Sequence, residues 1–158
     1  MQEIKVAVFD DNKPRRELLQ LLLNSSDGLI CTGAFEDCRN IVKKLCADIP
    51  DVILMDIDMP FVNGIEGLKE VRAHFPTVKV MMQTVFEDEE RIFEAIVNGA
   101  DGYLLKKTPP AKLLEAISEV MEGGAPMTPA IARQVLLLFN GQHRYTEKKD
   151  FNLSAREQ

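Results

Sequence analysis

Five short apolar runs, at residues 4–9, 29–35, 52–55, 78–82 and 102–105, alternate with five amphipathic stretches near 15–23, 41–46, 65–75, 89–97 and 112–121. No other feature restricts the fold as tightly. Several of the runs are apolar throughout, without period-two alternation, as expected of parallel strands covered on both faces. Five strand–helix units in succession predict a doubly wound α/β fold with a five-stranded parallel sheet. In such sheets ligands bind beyond the carboxyl ends of the strands, where the strand order reverses. Function is therefore to be sought at the strand ends.

Composition narrows the classes. A chain of 158 residues fits one domain with a short extension, and 46% hydrophobic with 28% charged residues excludes a disordered protein. No apolar run approaches the roughly 20 residues of a membrane helix. Met1-Gln-Glu-Ile-Lys5 offers neither a basic n-region nor a cleavage site, which predicts a cytoplasmic protein. Cys31, Cys38 and Cys46 are odd in number and lack metal-ligand spacing, so they are expected to be reduced thiols. A formal net charge of −6 disfavours nonspecific nucleic-acid binding by these residues.

The first strand ends in Asp10-Asp11, the third in Asp56 with Asp58 just beyond, the fourth in Thr84 and the fifth in Lys106. Only the second has no candidate, and it is expected at an edge of the sheet. Each residue also has a plain structural role open to it. Asp10 and Asp11 suit the cap of a helix with Pro14 in its first turn. Thr84 with Glu87 fits a capping box, and Lys106-Lys107 a solvated pair. Asp56 is different, because a charge closing an apolar strand is costly unless compensated.

The combination carries more weight than its members. Three carboxylates about 4 Å apart repel by ~1 kcal/mol per pair in water, and by ~4 at an effective dielectric near 20. Such a cluster needs a cation, and hard oxygen ligands suit Mg²⁺. Lys106 supplies a point charge for a phosphoryl group, and Thr84 a hydroxyl to bond it. This inventory fits phosphoryl transfer, where positioning and charge neutralisation do most of the catalysis.

With Pro60 and Gly64 in the loop after Asp56, this set resembles the signature of the CheY-like receiver domain of response regulators. The stretch Gly99-Ala-Asp-Gly-Tyr-Leu-Leu-Lys106 is similar to the NarL/FixJ (LuxR-type) subgroup in particular. The resemblance covers about residues 3–122 and implies the flavodoxin/CheY-like strand order. It implies that Asp56 is the phosphoacceptor, assisted by Thr84 and Lys106. Mg²⁺ would be held directly by Asp11 and Asp56, through water by Asp10, and by the backbone carbonyl of Asp58. Thr84 and Tyr103 would form the switch pair that moves on phosphorylation. Such a protein is not an enzyme but a phosphoacceptor that assists its own phosphotransfer and dephosphorylation. A sensor histidine kinase is the implied partner in a two-component system, and a homodimer an implied assembly. Two positions depart from the pattern: Lys107 stands where many members carry a cis proline, and Val85 where a smaller residue is common.

Beyond a receiver at 1–122, residues 123–152 are expected to form a linker with a helix near 129–139, begun by Thr128-Pro129. Leu153-Ser-Ala-Arg-Glu157 then forms a capping box with an apolar staple. It resembles the opening of a LuxR-type helix-turn-helix domain, so residues 153–158 are expected to begin a DNA-binding domain that is cut short. Through it the protein would control transcription. The competing class is an enzyme. Asp56-Ile-Asp58 matches the nucleophile and general acid of haloacid-dehalogenase-type phosphatases. That pair usually ends the first strand, where Asp10-Asp11 already stands. A Rossmann nucleotide binder is weaker still, because a glycine-rich turn is missing there.

Overall fold

The computed structural model describes residues 3–85 and 88–140. Its strands are β1 (Ile4–Phe9), β2 (Leu29–Phe35), β3 (Val52–Asp56), β4 (Lys79–Thr84) and β5 (Gly102–Leu105). Between and after them run α1 (Lys13–Asn24), α2 (Ile41–Cys46), α3 (Gly64–His74), α4 (Glu89–Val97) and α5 (Pro110–Met121). A further helix, α6, occupies residues 129–140. All strand pairings are parallel, in the order β2-β1-β3-β4-β5. The order reverses at β1 and β3, so their carboxyl ends flank the crevice where such folds bind ligands.

Successive strand residues point to opposite faces. Val6 and Val8 therefore meet Leu19 and Leu23 of α1 and Ile117 of α5. Ala7 and Phe9 face the other layer, with Leu68 of α3 and Ile92 of α4. Both faces being covered, β3 is buried along its whole length. This is why its sequence is apolar without alternation.

Strand β4 runs two residues past its apolar stretch. Gln83 and Thr84 are polar yet only 2% and 0% exposed, because β3 and β5 pair with them on either side. The helix caps also differ from the simplest reading of the acidic residues. Asn12, not Asp10 or Asp11, caps α1, its side chain accepting the Arg15 N–H at 3.0 Å. Helix α4 is capped by Asp88, which accepts the Glu90 N–H. Glu87, the other half of the expected capping box, lies outside the described residues.

After α5 the chain returns along the free side of β5. Tyr103 donates its N–H to the Pro126 carbonyl at 3.0 Å and accepts the Thr128 N–H at 3.3 Å, a parallel bridge centred on Met127. The edge is thus paired by the chain itself, which blunts a site of strand-to-strand aggregation. Helix α6 follows, with Ile131 fully buried and Val135 and Leu138 packed against the core. The polar stretch and the capping box at Leu153 to Glu157 lie outside the described residues. Cys31, Cys38 and Cys46 are free thiols. No described helix is long and apolar enough to cross a membrane.

Candidate functional site

Asp10 follows β1 directly, with Asp11 beside it, and Asp56 is the last residue of β3. Because β1 and β3 are hydrogen-bonded neighbours, the three side chains meet. One carboxylate oxygen from each lies within 4.8 Å of the others. Asp10 and Asp56 are each 1% exposed, whereas Asp11 faces solvent. Burial pushes the Asp56 carboxyl up to about 7, with Lys106 pulling the other way and Asp10 adding to the rise. The ordinary value is near 4.

Two cations answer this charge. Lys106, just past β5, places Nζ 2.9 Å from Asp56 Oδ2 and 3.3 Å from Asp10 Oδ2. Arg15, in the first turn of α1, places Nε 3.1 Å from Asp10 Oδ2. Its other nitrogens donate to the Lys106 carbonyl at 3.2 Å and to Gln83 Oε1 at 3.0 Å, so it ties β1, β4 and β5 together. Arg16 donates to the Asp10 carbonyl at 2.8 Å. Among the described residues, the buried Oδ2 atoms of Asp10 and Asp56 have ion-pair neighbours but no aligned hydrogen-bond donor. They retain acceptor capacity, so with Asp11 they fit a small divalent cation with oxygen ligands.

Thr84 sits fully buried at the end of β4, its carbonyl accepting the Lys106 N–H at 2.7 Å. Asp58 lies close by backbone only. Its N–H donates to Asp56 Oδ1 at 3.2 Å, while its carboxylate turns away to pair with Arg91 of α4. Tyr103 is not at the carboxylate cluster. It is buried under α4 and α6, its hydroxyl lacks a hydrogen-bond partner among the described residues, and burial pushes its phenol up. The peptide after Lys106 is trans. Gly64 closes the loop after Asp56: a Cβ there would overlap the Asp56 carbonyl and stand 2.9 Å from Ile57 Cα.

Asp10, Asp11, Asp56 and Lys106, expected together from their strand ends, do converge. Arg15 and Arg91 were not anticipated. A signal for Arg15 existed: helical side chains lean toward the N-terminus, and Arg15 follows Asp10-Asp11 by one turn.

The family model for the response regulator receiver domain matches residues 6–118. The uncharacterized transcriptional regulatory protein YxjL of Bacillus subtilis (strain 168) is 36% identical over 134 residues, spanning 85% of this chain and 62% of that protein. The transcriptional regulatory protein DegU of Brevibacillus brevis is 34% identical, over 85% of this chain and 57% of its own length. The chain thus spans about three fifths of the curated relatives it matches. Among solved structures, a LuxR-family two-component response regulator from Aurantimonas sp. SI85-9A1 superposes with a TM-score of 0.79 at 24% identity. The superposition covers 85% of this chain and 96% of that one, a likeness of fold.

Proposed function

Because the chain belongs to the response regulator receiver domain family, we propose that Asp56 is its phosphoacceptor and that Mg²⁺ is held by Asp10, Asp11, Asp56 and the Asp58 backbone carbonyl. The observation that carries this is the buried Asp56 carboxylate, 2.9 Å from Lys106 and within 4.8 Å of two further carboxylates. A carboxylate oxygen of Asp56 forms a bond to the donor's phosphorus. The bond from phosphorus to the donor breaks, the donor keeps that electron pair, and an acyl phosphate results. Lys106 neutralises the incoming oxygens and orients them. Bound Mg²⁺ supplies further charge neutralisation and a template for the same oxygens. Arg15 holds Asp10 in place throughout.

In the wider protein the phosphodonor is a sensor histidine kinase and the output is transcription. Residues 1–122 act as receiver, 123–152 as connection, and 153–158 as the first residues of a DNA-binding domain. The names of the relatives as transcriptional regulators support this. Cytoplasmic location and assembly into a homodimer belong to the same proposal. The phosphatase alternative has no support from the relatives, and the carboxylate it needs as general acid, Asp58, is engaged by Arg91.

Acetyl phosphate with Mg²⁺ should give one acid-stable, base-labile acyl phosphate per chain, measured by mass spectrometry. Asp11→Ala should weaken Mg²⁺ binding by at least about tenfold. Undiminished labelling in excess chelator would overturn the metal assignment.

To act as a switch, the phosphoryl group must bias two states. Moving a 1:99 population to 99:1 takes ~5.5 kcal/mol. Charge-assisted bonds from Lys106 and Thr84, together with metal coordination, supply energies of that order, unlike one surface ion pair. Lys106→Ala and Thr84→Ala should therefore take up phosphoryl yet lose most of the amide-shift response to beryllofluoride, with Tyr103 no longer responding. Wild-type shifts in both variants would sink this coupling.

A further inference from the structure

The first turn of α1 reads Lys13-Pro-Arg-Arg16, with cations and no acid, the reverse of what a helix N-terminus favours. Lys13 pairs with Glu17 in solvent, but the two arginines reach back to the end of β1. Arg16 bonds the Asp10 carbonyl at 2.8 Å. Arg15 behaves differently. Its Nη1 and Nη2 donate to neutral acceptors, the Lys106 carbonyl at 3.2 Å and Gln83 Oε1 at 3.0 Å. Its Nε is buried and stands 3.1 Å from Asp10 Oδ2, yet among the described residues neither atom has an aligned hydrogen-bond partner. The guanidinium is anchored from behind and presents charge to the carboxylate without bonding it.

Other contacts also hold Asp10, so its place does not rest on Arg15 alone. Its Oδ1 accepts the Asn12 N–H at 2.9 Å, Lys106 Nζ stands 3.3 Å from its Oδ2, and Arg16 holds its carbonyl. What Arg15 adds is a fixed positive charge beside the carboxylate cluster. Its side chain is only 21% exposed, so solvent and salt screen that charge poorly.

We propose that Arg15 is a resident counter-charge of the metal site: it stays beside Asp10 when a divalent cation binds, opposes that cation, and so holds the affinity of the site down. The inference rests on the Mg²⁺ reading above and makes Arg15 a tuning residue, not a ligand. An entering cation shares Asp10 with a guanidinium that does not withdraw, because Gln83 and the Lys106 carbonyl keep it in place. Without metal, the same charge offsets the mutual repulsion of the carboxylates. A well-tolerated empty site and a loosely held ion are then two faces of one effect.

The test is calorimetric titration of the full chain with Mg²⁺ and, separately, with La³⁺, beside circular dichroism to establish folding. Arg15→Met, which keeps the apolar stem and removes the charge, should bind Mg²⁺ at least about tenfold more tightly than wild type. Because Coulomb energy scales with the charge of the ion, its gain for La³⁺ should be larger still. Arg15→Lys, which keeps the charge and loses the fork, should stay within about threefold of wild type for both ions. A residue that only positioned Asp10 would give the opposite pattern, with both variants weaker and the two ions affected alike. Mg²⁺ binding by Arg15→Met at or below wild-type strength overturns the inference, and so does an equal gain for both ions. If Arg15→Met is unfolded without metal, Arg15→Gln takes its place under the same criteria. If neither wild type nor variant takes up Mg²⁺, the metal reading falls and this inference with it.

Discussion

Asp56→Asn should reduce acyl phosphate formation to background while leaving a folded protein. Asparagine matches aspartate in shape, so the packing at the end of β3 survives. What disappears is the anionic oxygen that attacks phosphorus and, with it, one of the three carboxylates clustered for a metal. Neither Asp10 nor Asp11 is placed to substitute. Asp10 is held by Arg15 and Lys106 through its side chain and by Arg16 through its carbonyl, and Asp11 stands in solvent. The check is mass spectrometry after acetyl phosphate treatment, beside a far-ultraviolet circular dichroism spectrum. Labelling at the wild-type level would move the acceptor elsewhere.

The same substitution should change stability in a pH-dependent way in metal-free buffer. The folded Asp56 carboxyl is raised to about 7, chiefly by burial. In the unfolded chain it titrates near 4. Between those values the native state keeps a proton that the unfolded state has lost, so native stability falls as pH rises through this window and levels off above it. The ionised group therefore costs stability at neutral pH, on the order of 3–4 kcal/mol if nothing else changed. Asparagine removes that cost but also leaves Lys106 with one anion fewer. Asp56→Asn should thus be more stable than wild type by about 1–3 kcal/mol at pH 8, and the difference should vanish near pH 4. Urea titrations at both values decide the matter. A variant less stable at pH 8 would mean that Lys106 already compensates the buried charge in full. Added Mg²⁺ should narrow the gap by stabilising the wild type more than the variant, which has one carboxylate ligand fewer.

Much of this was legible because burial on both faces leaves a mark in the sequence. The strand β3 could not be mistaken once its run was read as apolar without alternation, and Asp56 stood out as its charged end. β4 was read to its end at Thr84, although its apolar run stops at Met82: Gln83 and Thr84 are polar yet buried, because β3 and β5 pair with them and Arg15 donates to Gln83 Oε1. The converging carboxylates followed from topology alone, since every strand end of a parallel sheet shares one edge. The arginines were hidden for the opposite reason. Arg15 and Arg91 sit on helices whose exposed faces carry charge as a matter of course, and nothing local distinguishes a reaching arginine from a solvated one. Periodicity likewise revealed a helix near 129–139 but not where it lands. That depends on the open edge of β5, a property of the assembled sheet.

The setting of Asp56 bears on timekeeping. The strand β3 is hydrogen-bonded by β1 on one side and β4 on the other and is buried throughout. Water therefore gains no extra access to a bond at its end through local fraying, as it would at a sheet margin. If Asp56 is the acceptor proposed above, the decay of its acyl phosphate is a chemical clock mounted on a strand buried throughout and paired on both sides. Its half-life should stay constant as urea is raised, then shift at the global unfolding transition to that of an unassisted acyl phosphate. Mutations that merely lower stability should leave the clock running at its usual rate.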